Sequence, residues 1–321
     1  MLAAYATAPN PSDPLAALEV GDRPDPEASD GWTTVTVRAA SINHHDVWTL
    51  RGVGLAEDKY PMILGCDASG VDADGRDVVV HAVIPSPDWS GDETLDPRRT
   101  LLSEKHQGTL AERVIVPTRN VLPKPTEISH EEAACLSTAW LTAYRMLFVK
   151  SGVRPGATVL VQGASGGVAT ALIALGSAAG YRMWVTGRTE AKRQAALALG
   201  ADAAFEPGAR LPKRVDAVME TVGEATWSHS LKSLAPGGTI VVCGATSGPN
   251  PPADLNRVFF LQLSVVGSTM GTRSELESLM AMLVTTGIRP VIDATMPLER
   301  AADGFAKIVA GDTAGKIVLT V

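Results

Sequence analysis

Residues 159–176, VLVQGASGGVATALIALG, place an apolar stretch before a glycine-rich turn and a second apolar stretch after it. The β-branched first part is typical of a buried strand, and the last part, rich in alanine and leucine, is typical of a helix. Ala164, Gly166 and Ala169 follow the spacing G-x-G-x-x-G/A. Small residues at these places let the backbone approach a pyrophosphate at the start of the helix. The stretch therefore predicts a dinucleotide-binding unit of strand, turn and helix.

Strand-like and helix-like segments continue to alternate beyond this turn. The strand-like segments are residues 181–187, 215–223, 237–244 and 263–270, and the helix-like segments are residues 189–200, 225–235 and 273–287. Such alternation is typical of βαβ units with right-handed crossovers. It predicts an α/β domain with a doubly wound parallel sheet.

The first third of the chain has a different pattern. WTTVTVRAA (32–40), RDVVVHAVI (76–84) and LAERVIVP (110–117) are rich in β-branched residues, and prolines and glycines separate them. These features predict a β-rich, barrel-like domain, with a polar surface loop at residues 85–106. GKIVLTV (315–321) returns to a strand pattern. We therefore assign residues 1–122 and 289–321 to a substrate-binding domain and residues 123–288 to a nucleotide-binding domain.

The composition excludes several classes of protein. The formal net charge of the 321 residues is −7, which argues against binding of nucleic acid over a broad surface. The most apolar helical run, residues 168–180, is too short to cross a bilayer, so no membrane partner is expected. The three cysteines, Cys66, Cys135 and Cys243, form no C-x-x-C pair. This usage is typical of a reducing compartment and predicts a cytoplasmic protein.

The end of the second strand-like segment indicates which dinucleotide binds. An NAD site carries an acidic residue here, whereas VTGRTEAK (185–192) has Gly187, then Arg188, with Lys192 one turn into the next helix. Glycine leaves room for a 2′-phosphate and the two cations can bind it, so the sequence predicts NADP(H). The alternative is that Arg188 and Lys192 are solvated surface cations.

Further cofactor contacts are expected at the carboxyl ends of the strands, where ligands of doubly wound sheets lie. The expected residues of the glycine-rich turn are Gly163, Ala164, Ser165, Gly166, Gly167 and Val168. Those expected elsewhere are Thr142, Thr221, Val222, Cys243, Gly244, Ala245, Ser268, Thr269 and Met270, the last three beside the nicotinamide. For Cys243 a role in the core is an equal alternative.

Several segments together resemble the medium-chain dehydrogenase/reductase superfamily, and most closely its zinc-independent quinone oxidoreductase branch. They are AASINHHDVWTLRG (39–52), PMILGCDASG (61–70), GTLAERVIVP (108–117), AACLSTAWLTAYRML (133–147), LAPGGTIVVCGATSG (234–248) and GKIVL (315–319). The resemblance runs from end to end of the chain. It implies a GroES-like β-barrel domain, a Rossmann domain between its two parts, and a cleft between the domains for nicotinamide and substrate.

The resemblance also bears on metal binding. Zinc members carry a cysteine in the first segment, a histidine–glutamate pair in the second and a third ligand in the interdomain helix. The corresponding positions here hold Asn43, Cys66, Asp67 and Thr138. Asparagine and threonine are poor zinc ligands. His44 and His45 are adjacent and, on a strand, would point to opposite faces. We therefore predict no metal, with a site formed by Cys66 and one histidine as the alternative.

Catalytic residues are expected around the first of these segments. Asn43 and Asp46 match positions that line the cleft in zinc-free relatives. Asn43 is expected to donate a hydrogen bond near the nicotinamide or the substrate carbonyl, and Asp46 is equally interpretable as the residue that holds a loop. The proton donor is left open between His45, Tyr60 and water, with His45 favoured because its reference pKa is near neutrality. Lys316 matches a family position near the cleft, but a charged surface residue is the simpler interpretation.

Without a metal, reduction of a quinone or an α,β-unsaturated carbonyl compound is the expected reaction, since these acceptors spread the charge left by hydride transfer. Two alternatives remain: a zinc-dependent alcohol dehydrogenase with an unorthodox site, and a non-catalytic NADPH-binding redox sensor. The apolar strand-like segment near residues 263–270 is expected at the sheet edge. An exposed apolar edge requires cover, so we expect a homodimer that pairs through it.

Overall fold

A computed structural model describes all residues from 1 to 321. Contacts divide the chain into two compact units. The β-rich unit comprises Met1–Leu141 and Met270–Val321, and the α/β unit comprises Thr142–Thr269. These boundaries differ from the predicted ones, because residues 123–141 and 270–288 pack with the β-rich unit.

Two buried contacts within the β-rich unit explain the difference. Nε2 of His81 lies 3.0 Å from the carbonyl oxygen of Gly271, and the hydroxyl of Ser137 donates to the carbonyl of Val80. Burial lowers the pKa of His81 to about 4, so its ring is neutral and donates one N–H. Residues on either side of the α/β unit in sequence are therefore anchored to the β-rich unit by polar groups, which the hydrophobic pattern does not reveal.

The chain forms eighteen strands: β1 (Leu2–Ala6), β2 (Leu18–Asp22), β3 (Trp32–Ile42), β4 (Met62–Ile63), β5 (Asp67–Asp72), β6 (Asp77–Val80), β7 (Val83–Ile84), β8 (Thr100–Leu101), β9 (Arg113–Pro117), β10 (Val121–Pro123), β11 (Thr158–Val161), β12 (Arg182–Thr186), β13 (Ala203–Phe205), β14 (Val215–Glu220), β15 (Leu234–Val242), β16 (Ser264–Gly267), β17 (Ile292–Pro297) and β18 (Lys316–Thr320).

It also forms nine α-helices: α1 (His44–Leu50), α2 (His130–Ala133), α3 (Leu141–Tyr144), α4 (Gly167–Ala178), α5 (Glu190–Ala198), α6 (Glu224–Ser233), α7 (Leu255–Phe260), α8 (Arg273–Thr286) and α9 (Ala301–Ala310). Two π-helical segments, Leu136–Trp140 and Arg145–Lys150, flank α3. The longest α-helix has 14 residues, and no helix combines the length and apolarity needed to cross a membrane.

The main sheet of the β-rich unit runs in the order β10-β6-β5-β3-β18-β17, and β9 also pairs with β3. Strand β3 is central because it pairs with three other strands, β5, β9 and β18, along its eleven residues. The C-terminal strand β18 lies antiparallel to β3 and so rejoins the first part of the chain. Apolar side chains between this sheet, α1 and α9 form the core, among them Val35, Leu50, Leu64, Leu110 and Phe305.

The α/β unit has one six-stranded sheet, in the order β13-β12-β11-β14-β15-β16, and every pairing is parallel. The strand order reverses beside β11, the point at which ligands of doubly wound sheets bind. Helix α4 packs closely on β12, because a Cβ at Gly176 would overlap the side chain of Met183. The predicted α/β fold with a doubly wound parallel sheet is confirmed.

The sequence patterns did not predict several elements of secondary structure. Strand β13 has only three residues, and α7 and α9 lie between turn-rich segments. The argument that His44 and His45 face opposite sides of a strand was wrong, since β3 ends at Ile42 and both histidines lie in α1. Within residues 85–106, predicted as a loop, there are a 3-10 turn at Glu93–Leu95 and the short strand β8.

Candidate functional site

The glycine-rich turn between β11 and α4 leaves its backbone open on one side. Gly163 has a φ of 98°, a conformation that residues with side chains rarely adopt. A Cβ built on Gly163 or Gly166 would meet no atom within 4 Å. Gly166 precedes α4, and the first N–H groups of a helix have no partner inside it. The turn residues predicted from sequence thus surround an open helix N-terminus, where an anionic phosphate group binds favourably.

The end of β12 carries the second predicted cofactor feature. A Cβ on Gly187 would lie 3.0 Å from Cγ of Arg193 and 3.2 Å from Cβ of Ala164. Glycine is therefore favoured at 187 by close packing, in addition to the predicted absence of an acidic group. Arg188 follows with an exposed side chain, and Lys192 is half-buried in the first turn of α5.

Arg193 is a residue of this turn that the sequence analysis missed. Its guanidinium donates to the carbonyl of Gly187 at 2.8 Å and pairs with Glu190 at 2.7 Å and Glu206 at 3.5 Å. These contacts hold the shape of the turn and largely neutralise the Arg193 charge. The exposed charge of Arg188 is therefore the better placed of the two for a phosphate ligand, and its role in binding a 2′-phosphate stays a prediction.

Glu220, also missed, holds the loop after β14. It is fully buried at the strand's last position. Its Oε1 accepts the backbone N–H groups of Val222 and Gly223 at 2.9 and 3.1 Å. The hydroxyls of Thr226 and Ser230 donate to its two oxygens. A buried carboxylate with four donors fixes the loop that holds the predicted cofactor residues Thr221 and Val222.

The remaining predicted cofactor residues are divided between the units. Cys243, Gly244 and Ala245 follow β15, Ser268 and Thr269 follow β16, and Thr142 is the first residue of the α/β unit. Burial raises the pKa of Cys243 to about 12, so its sulfur stays protonated. Met270 belongs instead to the β-rich unit, where it packs with Cys66 and Val83. The cofactor roles of all these residues stay predictions.

Both carboxylate oxygens of the predicted catalytic residue Asp46 accept hydrogen bonds from the backbone. One of its carboxylate oxygens accepts the backbone N–H of Asn43 at 2.8 Å, and the other accepts the N–H of Gly65 at 2.9 Å. The carboxylate thereby caps the start of α1 and ties it to the segment before β5. Of the two interpretations drawn from sequence, the geometry favours the structural one.

Asn43 lies in a buried charged network. Its Oδ1 lies 2.5 Å from Nζ of Lys316, and its Nδ2 donates to Asp67 at 2.8 Å and to the carbonyl of Ser41 at 3.4 Å. Nζ of Lys316 also lies 3.1 Å from Oδ2 of Asp67. Because the amide is engaged on both sides, Asn43 is poorly available to donate to a nicotinamide or substrate, contrary to the prediction.

Lys316 was interpreted from sequence as a surface residue, and that interpretation is wrong. Its side chain is 3% exposed and that of Asp67 is 0% exposed. Its Nζ also donates to the carbonyl of Ile42 at 3.1 Å. The residue is the first of β18, and the antiparallel pairing of β18 with β3 brings it beside Asn43. Sheet topology, which the local sequence does not encode, therefore places this cation in the interior.

His45 is held from both sides at the start of α1. Its Nε2 lies 3.1 Å from Oε1 of Glu104, and its Nδ1 lies 3.5 Å from the sulfur of Cys66. The pKa of His45 is raised well above its ordinary value, chiefly where the Cys66 sulfur carries negative charge and further by Asp46 and Glu104, while burial of the ring opposes the rise. Burial raises the pKa of the Cys66 thiol, which donates to the carbonyl of Leu102 at 3.2 Å. The carboxylates of Asp46 and Glu104 thus favour the charged form of His45, and His44 beside it is exposed.

Tyr60, the other candidate proton donor, has its hydroxyl occupied. It donates to the carbonyl of Thr49 at 2.9 Å, and the ring packs against the core of the β-rich unit. Burial raises the pKa of Tyr60 above its ordinary value. A phenol that already donates to the backbone and is harder to ionise is a weaker proton donor than His45.

Comparison with known proteins identifies the family. A family model described as "Alcohol dehydrogenase GroES-like domain" matches residues 29–126, and one described as "Zinc-binding dehydrogenase" matches residues 167–285. A crystal structure described as an NAD-dependent alcohol dehydrogenase is 34% identical, covers all of both chains and superposes with a TM-score of 0.92. The chain belongs to the medium-chain dehydrogenase/reductase superfamily.

Two other members of the superfamily carry more specific names. The acryloyl-coenzyme A reductase of Metallosphaera sedula is 28% identical, over 94% of this chain and 96% of its own. The 2-octenoyl-CoA carboxylase reductase CinF, solved with NADP and 2-octenoyl-CoA, is 25% identical, covers 99% of this chain and 87% of its own, and has a TM-score of 0.91. Membership confirms the predicted GroES-like and Rossmann folds.

The superfamily includes zinc enzymes, but the residues at their ligand positions here do not fit zinc. Asn43 is bonded on both sides, and the ammonium of Lys316 beside it would repel a metal cation. The hydroxyl of Thr138 and Oδ1 of Asp67 are buried without a partner. A hydroxyl is nevertheless a weak ligand, and Asp67 does not belong to the cluster of metal-binding side chains that this region contains.

That cluster consists of His45, Asp46 and Cys66, whose ligand atoms lie within 4.8 Å of one another. Both carboxylate oxygens of Asp46 already accept backbone N–H groups. Only His45 and Cys66 then remain as donors, whereas catalytic zinc sites have three protein ligands and structural sites four. The cluster therefore does not fit zinc either, and no chemical step below is derived from a metal.

Proposed function

We propose that this protein is an NADP(H)-dependent oxidoreductase that reduces a C=C bond conjugated to a carbonyl group, or a quinone, without zinc. The observation that carries the proposal is the buried ammonium of Lys316 against Asn43 and Asp67, at the positions where zinc members bind their metal. Without a Lewis acid, reduction of a simple ketone is difficult. A conjugated acceptor reacts more readily, because the charge spreads from carbon to the carbonyl oxygen.

The choice between the two acceptors rests on the relatives. The names acryloyl-coenzyme A reductase and 2-octenoyl-CoA carboxylase reductase both describe compounds with a C=C bond beside a thioester carbonyl. They support an unsaturated carbonyl compound over a quinone as substrate. The 34% identical structure, described as an NAD-dependent alcohol dehydrogenase, instead supports interconversion of an alcohol and a carbonyl compound. A metal-dependent alcohol dehydrogenase is therefore the principal competing function.

NADP(H) is proposed as the cofactor from the chain's own residues. The glycine-rich turn presents an open helix N-terminus for the pyrophosphate, and Arg188 with Lys192 provides positive charge for a 2′-phosphate. The complex of CinF with NADP supports this choice, whereas the alcohol dehydrogenase is described as NAD-dependent. Close packing at Gly187 opposes the acidic side chain that binds the ribose hydroxyls of NAD.

In the proposed reaction, NADPH supplies a hydride to the carbon farther from the carbonyl group. The electron pair of the C=C bond then moves towards the carbonyl oxygen, and the nearer carbon takes a proton. We assign this proton to Nε2 of the His45 imidazolium, which becomes available when the part-exposed side chain of Glu104 turns aside. The side chain of Glu104, 29% exposed and 3.1 Å from Nε2 of His45, links the ring to solvent and allows reprotonation.

The other predicted catalytic residues receive supporting roles in this proposal. Asp46 holds the start of α1, which carries His45. Asn43 stays within the network around Lys316, and Tyr60 packs α1 against the following loop through Thr49. Their task is to keep the His45 ring in place between Glu104 and Cys66.

A homodimer is proposed on the basis of an exposed apolar surface in the α/β unit. Edge strand β16 exposes Val265, and the adjacent helix α7 exposes Leu255, Phe259 and Phe260, the last 79% exposed. An unpaired apolar edge favours association with a second copy. Light scattering should give twice the chain mass, and Val265→Lys should reduce it to the mass of a monomer. A cytoplasmic location stays a prediction from cysteine usage.

The decisive experiment is NADPH oxidation by the purified, chelator-treated protein with enones, quinones and simple aldehydes. Turnover with conjugated acceptors alone would support the proposal. Activity that returns only with zinc would establish the metal-dependent alternative and assign His45 and Cys66 to a metal. NADPH binding without turnover on any acceptor would favour the redox sensor.

A further inference from the structure

A small polar pocket in the β-rich unit has no part in the function proposed above. Its volume is about 220 Å³. Pockets that enclose drug-sized ligands measure roughly 300–1,000 Å³, so this one accommodates an end group of a larger molecule. The chemically important lining residues are His81, Val83, Trp89, Glu93, Arg119 and Arg273.

Two guanidinium groups in the lining are held in fixed positions. Nη2 of Arg119 donates to the carbonyls of Pro85 and Ser86. Nε of Arg273 donates to the carbonyl of Arg119 at 3.0 Å, and its Nη1 pairs with Glu277. Each guanidinium has five N–H donors, so both retain donors with no acceptor in the chain. Fixed guanidinium groups with spare donors are well suited to an oxyanion.

The other charged or titratable groups in the lining are one glutamate and one histidine. Glu93 is the only acid there, and its Oε1 makes one long contact, 3.4 Å, with the backbone N–H of Arg273. His81 is neutral, because burial lowers its pKa to about 4. Glu277 pairs with Arg273 outside the lining. Glu93 and Glu277 together balance the charge of the two arginines, so the unused N–H donors of the guanidinium groups, rather than a net charge, favour an oxyanion.

The pocket also adjoins the proposed catalytic residues within the β-rich unit. Val83 lines the pocket and packs in one cluster with Cys66 and Met270. The sulfur of Cys66 in turn faces Nδ1 of His45. The side chain of Val83 therefore lies between the pocket and Cys66, which contacts the proposed proton donor His45. Trp89 donates its indole N–H to the carbonyl of Asp92, which leaves the ring as apolar lining.

We propose that this pocket binds a carboxylate or phosphate group carried by the substrate, so that the enzyme selects anionic unsaturated carbonyl compounds over neutral ones. The selection among substrates rests on the proposed function, whereas the binding of the anion by the pocket does not. Arg119 and Arg273 hold the oxyanion, and Glu93 moderates its affinity.

The test compares three para-substituted benzylideneacetones, with hydrogen, carboxylate or phosphonate on the ring, as acceptors for NADPH at low ionic strength. For Arg273→Gln, the ratio of KM for a charged acceptor to KM for the neutral one should rise about tenfold or more, since a charge-assisted hydrogen bond is lost. Glu93→Gln should shift the ratio in the opposite direction. Which charged acceptor responds more strongly identifies the anionic group.

Arg300→Gln is the matched control, because Arg300 is also at the start of a helix and pairs with an acid, Asp303, away from the pocket. It should leave the ratio unchanged. The inference is overturned if neither Arg273→Gln nor Glu93→Gln changes the ratio, or if both shift charged and neutral acceptors equally. Calorimetric binding of benzoate and inorganic phosphate, weakened by Arg273→Gln, separates this inference from the proposed function, because it requires no turnover.

Discussion

The two units of this protein build their candidate sites in opposite ways. In the α/β unit, the turn of residues 163–168 is formed by neighbours in sequence and leaves its backbone open. In the β-rich unit, Lys316 meets Asn43 across 273 positions, and Glu104 meets His45 across 59. The first site exposes uncharged backbone donors, whereas the second buries opposite charges. A local motif is therefore visible in a sequence, and a site assembled by sheet topology is not.

The difference predicts unequal consequences of mutation. A cofactor turn open to solvent tolerates changes in its side chains with little loss of stability, because few buried contacts depend on them. A buried ion pair does not, because the loss of one partner leaves the other charge uncompensated in the interior.

Lys316→Met should cause the largest loss, about 3–5 kcal/mol in the free energy of unfolding, since it leaves buried Asp67 without its cation. Urea denaturation of the purified variant measures this loss. The double variant Lys316→Met/Asp67→Asn should recover a substantial part, because it removes the unpaired charge. A loss below about 1 kcal/mol in the single variant would contradict the buried charged network.

Arg188→Glu should act on the cofactor and leave stability nearly unchanged. The lost contact with a 2′-phosphate is expected to contribute about 1.5–3 kcal/mol, so the preference for NADPH over NADH should fall about tenfold to a hundredfold. The ratio of the two kcat/KM values measures it. Arg210→Glu, an equal charge reversal at another exposed position of the α/β unit, should leave the ratio unchanged.

Asp46→Ala distinguishes a structural from a catalytic carboxylate. It removes the acceptor for two backbone N–H groups and should reduce the free energy of unfolding by about 1–2 kcal/mol. Thermal unfolding and turnover are measured on the same samples. A large fall in kcat with unchanged unfolding would instead restore the catalytic role.

His45→Gln should produce a small change in the free energy of unfolding, about 0.2–1 kcal/mol, and this change should depend on pH. The folded-state pKa of His45 is raised, so its contribution is fully present below the unfolded pKa of about 6.5 and is lost as pH rises through the folded pKa. The gap in unfolding free energy between wild type and variant should therefore be wider at pH 6 than at high pH. A gap that widens as pH rises would refute this assignment.

The sequence was sufficient to predict what depends on local pattern. It predicted the doubly wound sheet and the glycine-rich turn that precedes a helix. It did not predict Glu104, Glu220 or Arg193, because each acts through a partner that the fold brings near. Glu104 is a lone glutamate in a polar segment, and no sequence pattern connects it with His45. Of these three residues, only Glu220 could have been found from the sequence, because it lies near the end of a strand-like segment, where cofactor contacts were expected.

The tight packing at Gly187 also limits how cofactor preference can evolve. A Cβ there would lie 3.0 Å from Cγ of Arg193 and 3.2 Å from Cβ of Ala164, so these neighbours would have to shift by a few tenths of an ångström. An aspartate at 187 that selects NADH would therefore be disfavoured as a first mutation, and tolerated only after its neighbours have changed. The order of substitutions matters, and a descendant that prefers NADH is expected to carry changes at 164 or 193 as well.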